Sequence, residues 1–447
     1  MVRALSERQD SPVFHEPVFN ETQDTPVPPY FTVPHPSDDD IYKQVEDLLT
    51  KDVVGFAPSR GAPDDLFSLA EAYGDAGASI TGAIAKNGHI VFDVIGDSGA
   101  SAAMYFKDEI SVAARLTEDM GAAAATDRAA FLYHLGDVVY DFGEAQYYYD
   151  QFYDPFRNYA APIFAIPGNH DSFVVPGTAT GQAPLDIFTR NFCAAEPAVT
   201  AEAKSLHRTA MTQPGVYFTL DAPFVRIIGL FSNALEDPGV ISSESGKWSA
   251  VPDYQLDYLA AQLKRVKTDN YKGALLLATH HPAFSYTPPP SKGASGSHDS
   301  STAMQRQIDQ ICQSAGVYPH AFLSGHAHNY QRYTRTVSFG GGTYQVPFFV
   351  CGASGHHVNA LVRSSKGHPA QEPKLGTDVG YLDPSPAVEA KGLVIANFQD
   401  RDYGYLKVTA DPATLRFDYF LATGTDDKPT PFDTVTVDLA KHTIETS

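Results

Sequence analysis

Cysteine is nearly absent from this chain: Cys193, Cys312 and Cys351 are its three cysteines in 447 residues. So few, so widely spaced, exclude a disulfide framework and a thiolate metal site. Basic residues are short as well, 32 Lys and Arg against 53 Asp and Glu, for a net charge of −21. A field of that sign repels a nucleic-acid backbone or an anionic membrane, so neither is an expected partner. No apolar run approaches the ~18 residues of a membrane-spanning helix. The basic start Met1–Asp10 leads into no apolar stretch, so no secretory signal is expected within this sequence. Histidine, by contrast, is plentiful. Several of its 16 copies stand beside Gly, Asp or Asn where apolar runs end.

Residues 1–85 read as an N-terminal extension and 86–447 as one domain. Pro26–Pro36 is proline-rich and is expected to run extended over the surface. A helix is expected from about Asp39 to Thr50, behind the acidic Ser37–Asp40. From residue 89 short apolar runs alternate with helical stretches. The runs are His89–Ile95, Phe131–Leu135, Ile163–Ile166, Phe224–Phe231, Ala274–Ala278, Ala321–Leu323 and Phe348–Cys351, and their length and β-branched content make them strands. Leu256, Leu259, Leu263 and Val266 mark a helix over Tyr254–Val266. From about Leu393 to Val437 apolar and polar residues alternate, as in antiparallel strands. Ser291–Thr302 reads as a flexible loop. The aromatic stretch Tyr147–Phe156 reads as a face packed on a sheet.

Five strand ends carry chemistry: Gly96-Asp97-Ser98-Gly99, Gly136-Asp137-Val138-Val139-Tyr140, Gly168-Asn169-His170-Asp171, Thr279-His280-His281-Pro282 and Gly325-His326-Ala327-His328. In open sheets, ligands gather at the carboxyl ends of strands. Carboxylates, imidazoles, an amide and a phenol without thiolates suit iron, manganese or zinc. A carboxylate such as Asp137 can bridge two ions, and paired ions suit in-line displacement at phosphorus. A Gly-Asp turn or a lone His is ordinarily structural. Five such clusters in one chain are not readily a coincidence.

This series resembles the motif blocks of the calcineurin-like metallophosphoesterases, and within them the purple acid phosphatases. Asp97 is not followed by x-His as in the wider superfamily, and Tyr140 stands where the purple branch carries its phenolate ligand. The resemblance implies an α/β fold of two packed β-sheets flanked by helices, with an N-terminal extension. It implies two metal ions, Fe(III) plus a divalent Fe, Zn or Mn. Asp97, Asp137, Tyr140 and His328 would hold one ion; Asp137, Asn169, His280 and His326 would hold the other. His170 would act on the leaving group without ligating. The family's further histidines after the fourth block have no counterpart in Ala283–Pro290. His281, His298, and the pair His356 and His357, are candidates for that substrate-facing place.

The implied activity is acid phosphatase: hydrolysis of a phosphate monoester by in-line attack of a metal-bound hydroxide, releasing inorganic phosphate. The expected partner is a small phosphorylated molecule. Rival readings are a phosphodiesterase on the same scaffold, a non-catalytic metal- or phosphate-binding protein, and a redox role for an exposed iron pair. The purple branch is usually exported, so an extracytoplasmic location is the expectation if a leader has been removed.

Overall fold

The computed structural model describes residues 31, 32, 47, 59–172, 184–289, 295–363, 372–422 and 430–445. The strands, in chain order, begin with β1 (Phe67–Ser68), β2 (Ile90–Ile95), β3 (Leu132–His134), β4 (Ile163–Ala165), β5 (Phe218–Ala222) and β6 (Val225–Gly229). They continue with β7 (Ala274–Ala278), β8 (Ser295–Gly296), β9 (Ala321–Ser324), β10 (Tyr330–Phe339), β11 (Gly342–Cys351) and β12 (Val362–Arg363). The last are β13 (Thr377–Asp378), β14 (Glu389–Gln399), β15 (Gly404–Ala410), β16 (Thr414–Leu421), β17 (Asp433–Asp438) and β18 (Thr443–Ile444). Six helices accompany them among the described residues: α1 (Leu69–Ala72), α2 (Gly77–Asn87), α3 (Ala103–Ala122), α4 (Asp186–Phe192), α5 (Tyr254–Thr268) and α6 (Thr302–Ala315).

Two sheets form, with a two-stranded ribbon of β8 and β12 beside them. The first has the order β18-β17-β16-β15-β2-β3-β4, the second β1-β5-β6-β7-β9-β11-β10-β14-β13. In the first, β2, β3 and β4 run parallel; in the second, β6, β7, β9 and β11 do. The tail strands β14 to β17 pair antiparallel with their neighbours, as their alternation predicts. Aromatic rings tie the sheets face to face. Tyr133 lies 6.1 Å from Phe218, Phe349 4.5 Å from Phe417, and Tyr330 stacks on Tyr419 at 3.8 Å. A helix-covered pair of sheets is the expected architecture.

Residues 67–85, expected in the extension, are built into the fold. Phe67 is buried, and β1 extends the second sheet beside β5. The proline-rich stretch 26–36 and the helix expected over 39–50 lie outside the described residues, except Phe31, Thr32 and Asp47. The ring of Phe31 packs 4.8 Å from that of Phe106, and the Thr32 amide donates to Asp150 Oδ2 at 2.7 Å. The described part of the expected Ser291–Thr302 loop is not loose: Ser295–Gly296 pairs with Val362–Arg363, and Ser301 is buried. Tyr147, Tyr148, Phe152 and Tyr153 are buried along a 3-10 turn and a π-helical turn and Phe156 is buried just after them, while Tyr149 stays half-buried under Lys204.

Candidate metal centre

The expected ligands converge where parallel strands of both sheets end. In the first sheet β2 runs into Asp97, β3 into Asp137 and Tyr140, and β4 into Asn169 and His170; in the second, β7 runs into His280 and β9 into His326 and His328. Two groups of ligand atoms result, Asp97 with Asp137 and His328, and Asp137 with His280 and His326, each within 4.8 Å internally. Asp137 belongs to both. The phenol of Tyr140 donates to Asp137 Oδ2 at 2.9 Å and lies 3.1 Å from His328 Nε2 and 3.3 Å from Asp97 Oδ1. Asn169 Oδ1 lies 3.0 Å from His280 Nε2 and 3.1 Å from His326 Nδ1.

The backbone is bent to achieve this. Asp97, Asp137 and His326 have φ of 57°, 55° and 69°, a left-handed region that side-chain-bearing residues seldom occupy. Surrounding bonds hold them there. The His326 amide donates to Asp97 Oδ2 at 2.8 Å, and the His170 amide to Asp137 Oδ1 at 2.9 Å. Asp171, the last residue of its motif, accepts from the amides of Val138, Val139 and Gly168 and so welds two motif loops together. Gln151, from the aromatic stretch, pairs with both the amide and the carbonyl of Tyr140 at 2.7 Å. His280 Nδ1 meets the carbonyl of Leu135 at 2.9 Å, which turns Nε2 toward Asp137, 3.3 Å away. Two glycines permit the closeness: a Cβ on Gly168 would collide with Asp137 Oδ1, and one on Gly325 would stand 2.5 Å from Asp97 Oδ2.

The electrostatics call for cations. Burial pushes Asp97 well above the ordinary carboxylate range, and the Asp137 charge adds to it. Burial acts the same way on Asp137, but the charge of His280 overrides it and holds Asp137 below its usual value. His280 is raised to about 9 despite burial, because Asp137 and Asp97 favour its charged form. A protonated imidazole thus supplies positive charge between two buried carboxylates, the charge a metal ion brings in its place. Burial lowers His326 to about 4 and carries His328 well below its ordinary value, so both stay neutral with lone pairs to donate. Burial, then Asp137 and Asp97, raise the Tyr140 phenol, which ionises only against a strong Lewis acid. Two carboxylates, three imidazoles, an amide oxygen and a phenol gathered without a thiolate fit a pair of borderline metal ions.

The remaining candidates separate. His170 belongs to neither group; its Nδ1 meets the Asp141 carbonyl at 2.7 Å and its ring leans on Tyr140 at 4.2 Å. His281 is turned into the protein, its nitrogens on Ser232 Oγ and the Leu235 carbonyl, both at 2.8 Å. Both of its nitrogens thus have partners within the protein. His298 does reach the site, its ring 4.3 Å from His326 and 5.7 Å from His328. His356 and His357 also reach it and form a further group with His328. Sequence reasoning missed Glu236 and Asp237, on the loop after β6. Asn169 Nδ2 donates to Glu236 Oε2 at 3.3 Å, and Asp237 joins His298 and His326 in another group of candidate ligands. The available signal was the strand itself, since β6 is parallel to β7 and ends at the same edge.

The Metallophos family model, described as calcineurin-like phosphoesterase, matches residues 90–330. No curated protein matches the chain. Among solved structures, "Structure of PhoD" is similar at 13% identity, covering 80% of this chain and 71% of that one, with a TM-score of 0.46. "GAP50 the anchor in the inner membrane complex of Plasmodium" is similar at 10% identity over 78% of this chain and 89% of that one, with a TM-score of 0.45.

Proposed function

The chain belongs to the calcineurin-like phosphoesterase family, and from that premise we propose a phosphate monoesterase of purple acid phosphatase type. Membership makes it a metal-dependent phosphoester hydrolase with a dinuclear centre. The proposal goes further in assigning substrate, iron and residue roles. Asp97, Asp137, Tyr140 and His328 would hold Fe(III); Asp137, Asn169, His280 and His326 would hold a divalent Fe, Zn or Mn. The observation that carries it is the Tyr140 hydroxyl, set 2.9–3.3 Å from a ligand atom of each of Asp137, His328 and Asp97.

When bound, the ions activate water and neutralise charge on the phosphoryl oxygens. The chain's own groups do the rest. His170, fixed through Nδ1 by the Asp141 carbonyl, would act on the leaving-group side without ligating. His298, beside His326 and His328, contacts the phosphoryl group in place of the histidines missing after the fourth block. If a leader has been removed, the proposed location is extracytoplasmic, on the habit of the purple branch.

Side-by-side rates on p-nitrophenyl phosphate and bis-p-nitrophenyl phosphate test the substrate class, with the monoester expected to be faster. A faster diester overturns the monoesterase reading and leaves the family assignment standing. Metal analysis with a visible spectrum of the same sample tests the iron.

A further inference from the structure

We infer that Glu236 and Asp237 are positioning residues for the second metal ion, and that Asp237 also links a ligand of that ion to His298. The inference rests on the proposed ligand roles of Asn169 and His326.

Asn169 has one acceptor end and one donor end, and only the oxygen can meet a cation. Its Nδ2 donates to Glu236 Oε2 at 3.3 Å, which leaves Oδ1 turned toward His280 Nε2 and His326 Nδ1. Reversing that amide would aim two N–H groups at the ion. Glu236 selects the orientation that binds.

His326 poses the same question about its two nitrogens. Nδ1 faces Asn169 and His280 at 3.1 and 3.2 Å. Nε2 is buried and makes no hydrogen bond among the described residues; Asp237 Oδ1 stands 3.5 Å from it. A carboxylate behind a ligating imidazole takes the N–H of the distal nitrogen and so leaves the lone pair on the nitrogen that faces the metal. Asp237 is placed to do this, and closing the 3.5 Å gap satisfies a buried donor.

The other oxygen of Asp237 lies 3.4 Å from His298 Nδ1, and the amide of Asp299 donates to Oδ1 at 3.3 Å. One carboxylate therefore spans a metal ligand and the loop that carries a substrate-facing imidazole. Glu236 Oε1 supports the same nitrogen of His298 from 3.9 Å.

The test is calorimetric titration of the metal-stripped full chain with Zn²⁺ alone, on wild type, Asn169→Ala, Glu236→Leu, Glu236→Gln and Asp237→Asn. Thermal melts of the metal-free forms establish that each is folded. Asn169→Ala identifies which of the two Zn²⁺ events belongs to the second site. Glu236→Leu and Asp237→Asn should weaken that event by about 10–100-fold and leave the other unchanged. Glu236→Gln should bind as wild type does, because its amide oxygen still accepts from Asn169. Wild-type affinity in Glu236→Leu and Asp237→Asn, with Asn169→Ala weakened, overturns the inference alone. Unchanged affinity in Asn169→Ala overturns the ligand assignment beneath it. Glu236→Gln as weak as Glu236→Leu overturns the hydrogen-bond role of Glu236.

Discussion

The imidazole of His356 lies flat on the phenol of Tyr140, with centroids 3.8 Å apart and planes within 5°. His356 is itself fixed, its Nδ1 meeting the carbonyl of Gly99 at 3.1 Å. The Tyr140 ring is thereby aimed before any ion arrives, and removing its oxygen leaves the stack intact. Iron-loaded, oxidised protein should absorb visible light by phenolate-to-iron charge transfer, and Tyr140→Phe should lose that band while keeping its circular dichroism. A colourless wild type with iron in both sites removes Tyr140 from the ligand set.

Asp137 serves both ligand groups. Asp137→Asn takes away the charge that each ion shares, so the variant should retain less metal than a variant of any terminal ligand. Elemental analysis after dialysis reads this directly. Two ions retained per chain contradicts the bridge.

His170 is held by its neighbours and stands outside both groups. His170→Ala should keep two ions and lower kcat by roughly 10²–10⁴-fold, the usual range for a general acid or base. A loss of metal in step with the loss of rate makes His170 a ligand instead.

A fourth expectation concerns stability. Asp93 is buried in the middle of β2, and burial raises it to about 7 against the lowering pull of Lys407 and the Tyr159 hydroxyl. An unfolded aspartate titrates near ~3.9. Between these values the folded chain keeps a proton that the unfolded chain has released, so stability falls as pH rises through that window and stays lower above it. Asp93→Asn carries no such charge, and its oxygen still accepts from Tyr159. Melting temperatures should therefore favour the variant more at pH 8 than at pH 5. An equal difference at both values removes the effect.

The candidate ligands were legible because each ends an apolar run with a short motif, and parallel strands bring such ends to one edge. What escaped notice depends on pairing across the sequence. β8 and β12 have two residues each, too few to show a period, yet β8 ends two residues before His298, whose ring lies 4.3 Å from that of His326. β10 alternates buried and half-buried positions, but its inward residues include Gln331 and Arg335. Arg335 is fully buried, and its guanidinium lies 2.8 Å from both Asp309 and Asp383, carboxylates supplied by α6 and by the 3-10 turn after β13. An inward charge satisfied from distant segments hides a strand from any pattern of hydrophobicity.

The two sheets do not contribute equally to the two ions. The proposed first set draws Asp97, Asp137 and Tyr140 from the first sheet and only His328 from the second, whereas the other set draws Asp137 and Asn169 from one and His280 and His326 from the other. An ion in the evenly divided set is a further cross-link between layers already joined by ring packing and by bonds such as the Arg332–Asp433 ion pair at 2.6 Å. By linkage, its binding free energy becomes resistance to separating them. Withdrawing that ion should loosen the contact between Tyr133 and Phe218, at the sheet interface, before it disturbs either sheet alone.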